Sequence, residues 1–203
     1  MTTPSRAIPR PGGRSARVQS AVHQATIELL AQHGRAALTV PLIAARAGVT
    51  PSTIYRRWGD LADLLADVAV ERMRPDADPA DTGSVQGDLL AWVEQYRDEM
   101  SSDVGLGMML DVLSARGGPL AEGKPPVPCQ CAAFTASQVA TIVARGLERG
   151  EAVPEVDAVM DTVVSPIIYR SLFGVSPMPA EHAQALVVAC MKTARRRKAA
   201  AAV

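Results

Sequence analysis

The sequence predicts an all-α protein, because apolar residues recur at helical spacing along nearly the whole chain and no stretch sustains the alternation typical of a β-strand. Its 203 residues allow one large domain or two small ones, and 48% hydrophobic with 21% charged residues is an ordinary globular composition. No apolar run approaches the roughly 20 residues of a membrane span, and the first residues lack the apolar stretch of a secretory signal. We therefore expect a cytoplasmic protein that does not enter the membrane.

The charge is unevenly distributed along the chain, although the formal net charge is zero. Residues 1–60 carry eight arginines and two acidic residues, whereas residues 61–190 carry eight basic and nineteen acidic residues. This segregation indicates that only the amino-terminal part meets a polyanion.

The elements at the amino terminus follow from proline, glycine and apolar spacing. Residues 1–15 hold three prolines and two glycines without periodicity, which predicts a flexible basic arm. A helix ended by Gly34 follows, because one helical face is apolar. That face consists of Val18, Val22, Ala25, Leu29 and Leu30.

The later elements are also helical. A linker from Pro75 to Asp81 precedes a helix with strong apolar spacing from Val85 to Tyr96, and residues 117–128 form the clearest loop. The stripe from Val156 to Ile168 is unusually rich in apolar residues, and Pro166 is expected to kink its helix. Three further helices are marked by apolar sets: Val104, Met108, Val112 and Leu113; Phe134, Val139, Ile142, Val143 and Leu147; Leu186, Val187 and Cys190.

The cysteines and histidines do not form a recognisable site. Cys129 and Cys131 are too close to bridge easily, Cys190 is alone, and no further zinc ligands lie nearby. The chain has neither a metalloprotease His pair, a nucleophile elbow nor a phosphate-binding loop of the Walker type. We therefore expect no metal, no cofactor and no enzymatic activity.

Residues 38–58 carry the clearest functional pattern, two short helical segments around a glycine. Thr39 is a good N-cap for the first segment, and Gly48 permits a tight turn with positive φ. Thr50 is expected to cap the second segment, which begins with Pro51. Two such segments predict a helix-turn-helix, whose second helix suits the major groove of DNA.

The second helix of this motif carries the side chains expected to meet DNA. Ile54 is its inward anchor. Its polar set supplies hydroxyl and guanidinium groups, which contact base edges and phosphates: Ser52, Thr53, Arg56 and Arg57. A helical hairpin without special use would explain the spacing alone, but the local positive charge favours DNA binding.

The stretch from Arg17 to Leu65 resembles the DNA-binding domain of the TetR family of bacterial transcriptional regulators. Residues 25–34 (ATIELLAQHG) are similar to the first helix of that family and its closing glycine. Further motif positions match at Thr39-Val40, Ile43-Ala44, Ala47-Gly48-Val49 and Thr53-Ile54-Tyr55-Arg56-Arg57-Trp58. The resemblance covers about a quarter of the chain, and the remaining helices are compatible with the family.

The resemblance implies DNA contacts for individual residues. Thr39 and Tyr55 would contact phosphates, a role that the two arginines beside Tyr55 also favour. Arg14 and Arg17 are either solvated charges or contacts from the arm to DNA. The groove-facing surface would consist of Thr50, Pro51, Ser52, Thr53 and Arg56.

Three positions depart from the family pattern. Trp58 replaces the usual aromatic residue that wedges the three-helix unit together. Leu61 stands where the family commonly has a lysine that contacts the DNA backbone, and His23 stands where it usually has an apolar residue.

The expected organisation is an arm at residues 1–15, a helix-turn-helix domain at 16–62 and a helical ligand-binding and dimerisation domain at 63–203. Methionine and aromatic residues of the second domain are core fillers by default, but the resemblance implies that they line a ligand pocket: Trp92, Met108, Met109 and Phe134. A homodimer is expected on the last two helices, because one helix-turn-helix covers too few base pairs for tight binding. Its interface is expected at Val164, Ile168, Leu186, Val187 and Cys190.

The leading hypothesis is a sequence-specific regulator of transcription that binds a double-stranded DNA operator. It would act as a repressor released by a small apolar ligand. The alternative is a DNA-bound scaffold that recruits a protein partner and binds no small molecule. A thermal shift against a panel of apolar molecules distinguishes the two.

Overall fold

The computed structural model describes residues 13–115 and 130–201. Within these ranges the chain is helical and contains no strand, which confirms the predicted all-α fold. The expected loop at 117–128, Cys129 and most of the expected arm lie outside the described residues. The ten α-helices of the described ranges are α1 Arg14–His33, α2 Val40–Ala47, α3 Pro51–Trp58, α4 Leu61–Arg72, α5 Val85–Met100, α6 Asp103–Ser114, α7 Gln130–Glu148, α8 Val156–Val159, α9 Ser165–Leu172 and α10 Ala180–Ala201.

The chain divides into two compact units between Val68 and Ala69. This division lies six residues after the boundary expected at residue 62. The reason is that α4 packs into the core of the first unit as far as Val68, through Leu64, Leu65 and Val68.

The first unit is built on α1, α2, α3 and the start of α4. α1 begins at Arg14, so the last two residues of the expected arm are helical. Gly34 follows α1 with φ 71°, as its role as a stop predicts. The core of this unit consists of Val22, Ala25, Leu29, Leu38, Val40, Ile43, Ala44, Ile54, Leu64, Leu65 and Val68.

The second unit is a bundle of α5 to α10. Its main core draws on all of these helices, so no single helix pair carries the packing. The buried members of this core are Val85, Leu89, Trp92, Val93, Met100, Met109, Val139, Ile142, Val159, Val163, Val164, Ile167, Met178, Ala183, Val187, Cys190 and Met191.

An ionic cluster fastens the start of α5 to the end of α7. The buried carboxylate of Asp88 accepts hydrogen bonds from the backbone and hydroxyl of Thr82, at 2.6 and 2.7 Å, and from Arg149 at 3.1 Å. Arg149 also pairs with Asp81 at 3.1 Å and with Glu151 at 2.6 Å. Burial opposes the charge of Asp88, but the hydrogen bonds from Thr82 and Arg149 outweigh it and lower the pKa of this carboxyl group.

A π-helical turn at Met160–Val164 lies directly before Pro166, at which a kink was expected, and it joins α8 to α9. The N–H of Ser165 bonds to the carbonyl of Met160, five residues back, and the Ser165 hydroxyl donates to the same oxygen at 2.9 Å. The next residue, Pro166, has no N–H to donate. The hydrogen-bond pattern therefore changes at the position that lacks a donor.

The expected dimer interface is wrong for three of its residues, because the subunit buries them in its own core. Val164, Val187 and Cys190 are 5%, 1% and 8% exposed. Ile168 and Leu186 are half-buried against the same core. The apolar stripe that suggested a partner surface is filled by the other helices of the second unit.

Among the helices of the described residues, none combines the length and the hydropathy needed to cross a membrane.

Candidate functional site

The helix-turn-helix forms in the first unit through local backbone geometry. The Thr39 hydroxyl caps α2 by accepting from the N–H of Leu42 at 3.3 Å. Gly48 then adopts the left-handed conformation, with φ 67° and ψ 32°, and ends α2. Ile54 is fully buried and anchors α3, as predicted.

The cap of the second helix differs from the prediction. Thr50 lies at the N-cap position of α3, but its side chain makes no capping hydrogen bond. Its hydroxyl instead lies 3.0 Å from the hydroxyls of both Ser52 and Thr53. The Thr50 hydroxyl thus bonds to two other hydroxyl groups at the start of α3, where Pro51 already lacks an N–H.

The outward side of α3 presents a polar surface. Ser52, Tyr55 and Arg56 share one helical face at spacings of three and four residues, opposite Ile54, and all three are exposed. Tyr55 is 49% exposed, although it is a large aromatic residue. Pro51 is exposed beside them, and Thr53 is half-buried.

The other predicted DNA contacts lie in different settings. Thr39 and Arg17 are exposed. Arg14 is the first residue of α1, and its side chain lies outside what the structure describes. Arg57 is engaged within the first unit, because it donates to the backbone carbonyl of Ser15 at 3.0 Å, to the Ser15 hydroxyl at 2.8 Å, and to the side-chain oxygen of Gln19. Arg57 therefore fastens the start of α1 to α3.

A carboxylate that sequence reasoning missed connects α1, α3 and α4. Asp67 Oδ2 lies 2.8 Å from His23 Nε2 and accepts from Trp58 Nε1 at 2.7 Å. Gln19 donates to the same oxygen at 3.5 Å. The hydrogen bond from His23 lowers the pKa of Asp67, aided by Trp58, while burial acts in the opposite direction.

This carboxylate explains two of the three departures from the family pattern. The half-buried Trp58 and the buried His23 both reach Asp67, so Nε1 of Trp58 and Nε2 of His23 each have a hydrogen-bond partner. Their rings lie 6.0 Å apart. Leu61, the third departure, is half-buried against the first core and offers no cation to DNA.

The second unit contains a cavity with a volume of about 530 Å³. Three of the four predicted pocket residues line it: Trp92, Met109 and Phe134. Met108 does not, because it packs in a separate small cluster with Ala69 and Val112. Four further lining residues come from α5, α7 and the π-helical turn: Tyr96, Thr135, Gln138 and Met160.

The polar groups of the cavity were missed by sequence reasoning. Trp92 stacks on Tyr96 with ring centroids 5.0 Å apart, and its indole N–H donates to Gln138 Oε1 at 3.0 Å. Burial raises the pKa of Tyr96 to about 12. The spacing gave a signal, because Tyr96 follows Trp92 and Gln138 follows Phe134 by four residues on their helices.

Comparison with protein families accounts for both units. The family described as "Bacterial regulatory proteins, tetR family" matches residues 23–68, and "Tetracyclin repressor-like, C-terminal domain" matches residues 79–190. The chain belongs to the TetR family. The resemblance found in the helix-turn-helix is thereby confirmed and extends to the second unit.

Individual TetR relatives agree with this assignment. An uncharacterised HTH-type transcriptional regulator of Mycobacterium tuberculosis is 29% identical over 164 residues, 80% of each chain. The HTH-type transcriptional regulator AqdR of Rhodococcus erythropolis is 28% identical over 155 residues, 74% of this chain and 72% of that one. The crystal structure of the TetR family transcription regulator SCO0332 covers 87% of this chain and 97% of its own, with a TM-score of 0.64 and 24% identity. The chain is a transcriptional regulator of this family and not an enzyme, as predicted.

Proposed function

We propose that this protein is a homodimeric repressor that binds a DNA operator and is released from it by a small apolar ligand. The observation that supports this proposal is that one chain combines an exposed helix of the helix-turn-helix, α3, with a cavity of about 530 Å³ among aromatic and methionine side chains. A cavity of this size suits a small organic molecule. α3 and most of the residues that line the cavity fall within the matched TetR regions.

For the DNA contact we propose the exposed face of α3. Ser52 and Arg56 would meet base edges, and Tyr55 would meet a phosphate, with Thr39 and the start of α3 beside them. For Arg57 we propose a positioning role, because its two terminal nitrogens already bond to α1. Thr53, half-buried and bonded to Thr50, would contribute at the edge of this face.

Two substitutions of neighbouring arginines separate contact from positioning. Arg56→Gln should weaken operator binding, relax base preference by ~1–3 kcal/mol at one position, and flatten the dependence of log affinity on log salt, because it removes both a base contact and a positive charge. Arg57→Lys keeps the charge but loses the two-sided bond to α1, so it should weaken binding with an unchanged salt slope. Fluorescence anisotropy between about 50 and 200 mM salt measures both. Unchanged binding by both variants contradicts the proposed surface.

For the homodimer we propose the outward positions of α10 in place of its buried ones. Ala185, Val188 and Ala189 lie at spacings of three and four residues, on the side away from the buried Val187 and Met191. Small side chains let two helices approach closely, and a two-fold contact would use the same surface twice.

Release of the protein from its operator by a ligand would follow from the thermodynamic linkage between the two binding events. A ligand that favours one conformation of the second unit changes operator affinity by a factor, and the operator changes ligand affinity by the same factor. A hundred-fold effect needs only about 2.7 kcal/mol of coupling. α4 gives a covalent route, since Leu64 and Val68 belong to the first core and Ala69 packs with Met108 in the second unit.

The experiment begins by selecting an operator from a random duplex library with the purified protein. Thermal shift then screens neutral polycyclic aromatics, and each one that stabilises the protein is titrated by calorimetry with and without the operator duplex. Weaker ligand binding in the presence of operator supports release. If stabilising molecules bind equally in both titrations, ligand release is contradicted. If no molecule stabilises the protein, the scaffold alternative takes the place of the ligand-responsive repressor.

A further inference from the structure

The cavity of the second unit contains an amide whose orientation is fixed by the protein. Trp92 Nε1 can only donate, and it does so to Gln138 Oε1 at 3.0 Å. The oxygen of this amide therefore faces Trp92, and the two N–H groups of Gln138 face away from the indole nitrogen. Both residues line the cavity. The amide thus offers the cavity a donor, because its acceptor is already bonded to the protein.

The walls beside this amide are aromatic. Trp92 and Tyr96 stack with an angle of 20° between their planes, and Phe134 lines the same cavity. The guanidinium group of Arg74 lies 5.5 Å from the ring centroid of Phe134. Flat rings favour flat ligands, since stacked or edge-to-face contacts add to the burial of apolar area. Four methionines supply a flexible part of the remaining wall, beside aliphatic residues: Met73, Met100, Met109 and Met160.

The charged groups of the cavity disfavour an anion. Three carboxylates line it, those of Asp76, Asp78 and Glu99, against the two arginines Arg72 and Arg74. Each sign is partly offset by a neighbour, because Arg74 lies 3.6 Å from Glu71 and Asp78 lies 3.8 Å from Arg145. A carboxylate ligand would thus lose its hydration without gaining an excess of positive charge.

The phenol of Tyr96 adds a second neutral group. The hydroxyl of Tyr96 is hydrogen-bonded to Thr135, whose own hydroxyl also donates to the carbonyl of Cys131 at 3.2 Å. Tyr96 thus has a hydrogen-bond partner within the protein, and Gln138 supplies the amide that is bonded to Trp92 on this wall.

We propose that the ligand of this cavity is a neutral, flat aromatic molecule with a carbonyl group, and that Gln138 Nε2 selects it by donating a hydrogen bond to that oxygen. Trp92 acts as a positioning residue that orients the amide. This inference rests on the proposed function of the cavity as a ligand site, and it adds the chemical class of the ligand.

Three rigid probes that share one tricyclic ring system test the proposal. 9-Fluorenone carries the carbonyl, fluorene lacks it, and fluorene-9-carboxylate is its anionic relative. We expect the full-length protein to bind fluorenone at least ten-fold more tightly than either of the others, measured by calorimetry. Equal binding of fluorenone and fluorene, tighter binding of the carboxylate, or binding of none of the three overturns the inference.

Variants assign the preference to the amide. Gln138→Leu keeps the size of the side chain but removes the donor, so fluorenone and fluorene should bind equally. Gln95→Leu is the matched control, since Gln95 also lines the cavity, and it should keep the preference. Trp92→Phe should reduce the preference without abolishing it, because the amide is then free to turn. A preference that survives in Gln138→Leu places the donor elsewhere and overturns the assignment. If Gln138→Leu does not fold, Gln138→Met is used in its place.

The same probes distinguish this inference from the proposed release. If fluorenone binds as expected but leaves operator affinity unchanged, the ligand class stands and release by ligand fails. If the operator is released by fluorene-9-carboxylate and not by fluorenone, the release mechanism stands and the neutral carbonyl class fails.

Discussion

The interiors of the two units differ in how they use space. The first unit closes around fully buried side chains such as Ile43, Ile54 and Leu64, whereas the second keeps a cavity of about 530 Å³ among its helices. Each unit also has a carboxylate that gathers donors from distant elements, Asp67 in the first and Asp88 in the second. A surface that reads DNA requires helices at fixed positions, while a ligand site requires space that the surrounding packing does not fill. The chain meets these opposite requirements in separate cores.

The chain provides a probe for each unit, because its two tryptophans are divided between them. Trp58 lies in the first unit and Trp92 in the second. Fluorescence of a Trp92→Phe background follows the first unit, and far-UV circular dichroism follows the helices of both.

The largest effect is expected from a charge in the second core. Val187→Asp places a carboxylate at a position that is 1% exposed, so it should cost about 3 kcal/mol or more and unfold the second unit. Ala189→Asp, two residues away on the exposed side of α10, should keep the fold and weaken self-association. Urea denaturation and sedimentation separate these outcomes. If Val187→Asp gives folded monomers, the burial argument is contradicted and Val187 belongs to the dimer interface.

Truncations test the contrast between the closed core and the cavity wall. Ile54→Ala should cost about 3–4 kcal/mol, because it leaves a hole in a closed core. Met109→Ala should cost less than half as much, since one side of Met109 already borders empty space. Denaturant midpoints measure the two free energies of unfolding. Equal costs would mean that the cavity wall is packed as tightly as the first core.

Two glycines of α6 provide a matched pair of smaller effects. A Cβ on Gly105 would lie 2.1 Å from the backbone carbonyl oxygen of Glu99, so Gly105→Ala should destabilise the second unit by about 1–3 kcal/mol. A Cβ on Gly107 meets nothing within 4 Å, so Gly107→Ala should stabilise α6 by up to about 1 kcal/mol. Thermal unfolding should therefore shift in opposite directions, and shifts of the same sign refute the close contact at Gly105.

The smallest effect is expected at Asp67 and depends on pH. Its pKa is lower in the folded protein than in the unfolded chain, so its contribution is present above the unfolded value of 3.8 and is lost as pH falls through the folded value. Asp67→Asn should thus cost roughly 1 kcal/mol at pH 7 and progressively less below pH 4. Glu71→Gln, on the exposed side of the same helix, is the control. A cost for Asp67→Asn that is equal at pH 3 and pH 7 contradicts the role of the charge.

The sequence predicted the first unit more closely than the second for a physical reason. Thr39, Gly48 and Ile54 act through their own backbone or their own helix, so local patterns identify them. Asp67 was missed because its partners are 9, 44 and 48 residues away, and no local spacing links them.

In the second unit, helical spacing located the helices but not their neighbours. Val187 and Val164 were assigned to a partner surface, although they pack inside their own subunit, because an apolar stripe does not show what covers it. Gln138 was passed over for the same reason. Only the structure shows the hydrogen bond from Trp92 that fixes the orientation of the Gln138 amide.

The π-helical turn before Pro166 makes two sequence changes depend on each other. A residue removed from a regular helix rotates everything beyond it by about 100°, but a π-helical turn already holds one residue more than the α-helix that could replace it. Deleting the exposed Thr162 would convert the π-helical turn into ordinary α-helix. Pro166 would then lie inside a continuous α-helix, which it would interrupt. Pro166→Ala should therefore be tolerated alone, the deletion should be harmful alone, and the two together should be tolerated. During evolution, Pro166 would therefore have to be replaced before Thr162 could be deleted.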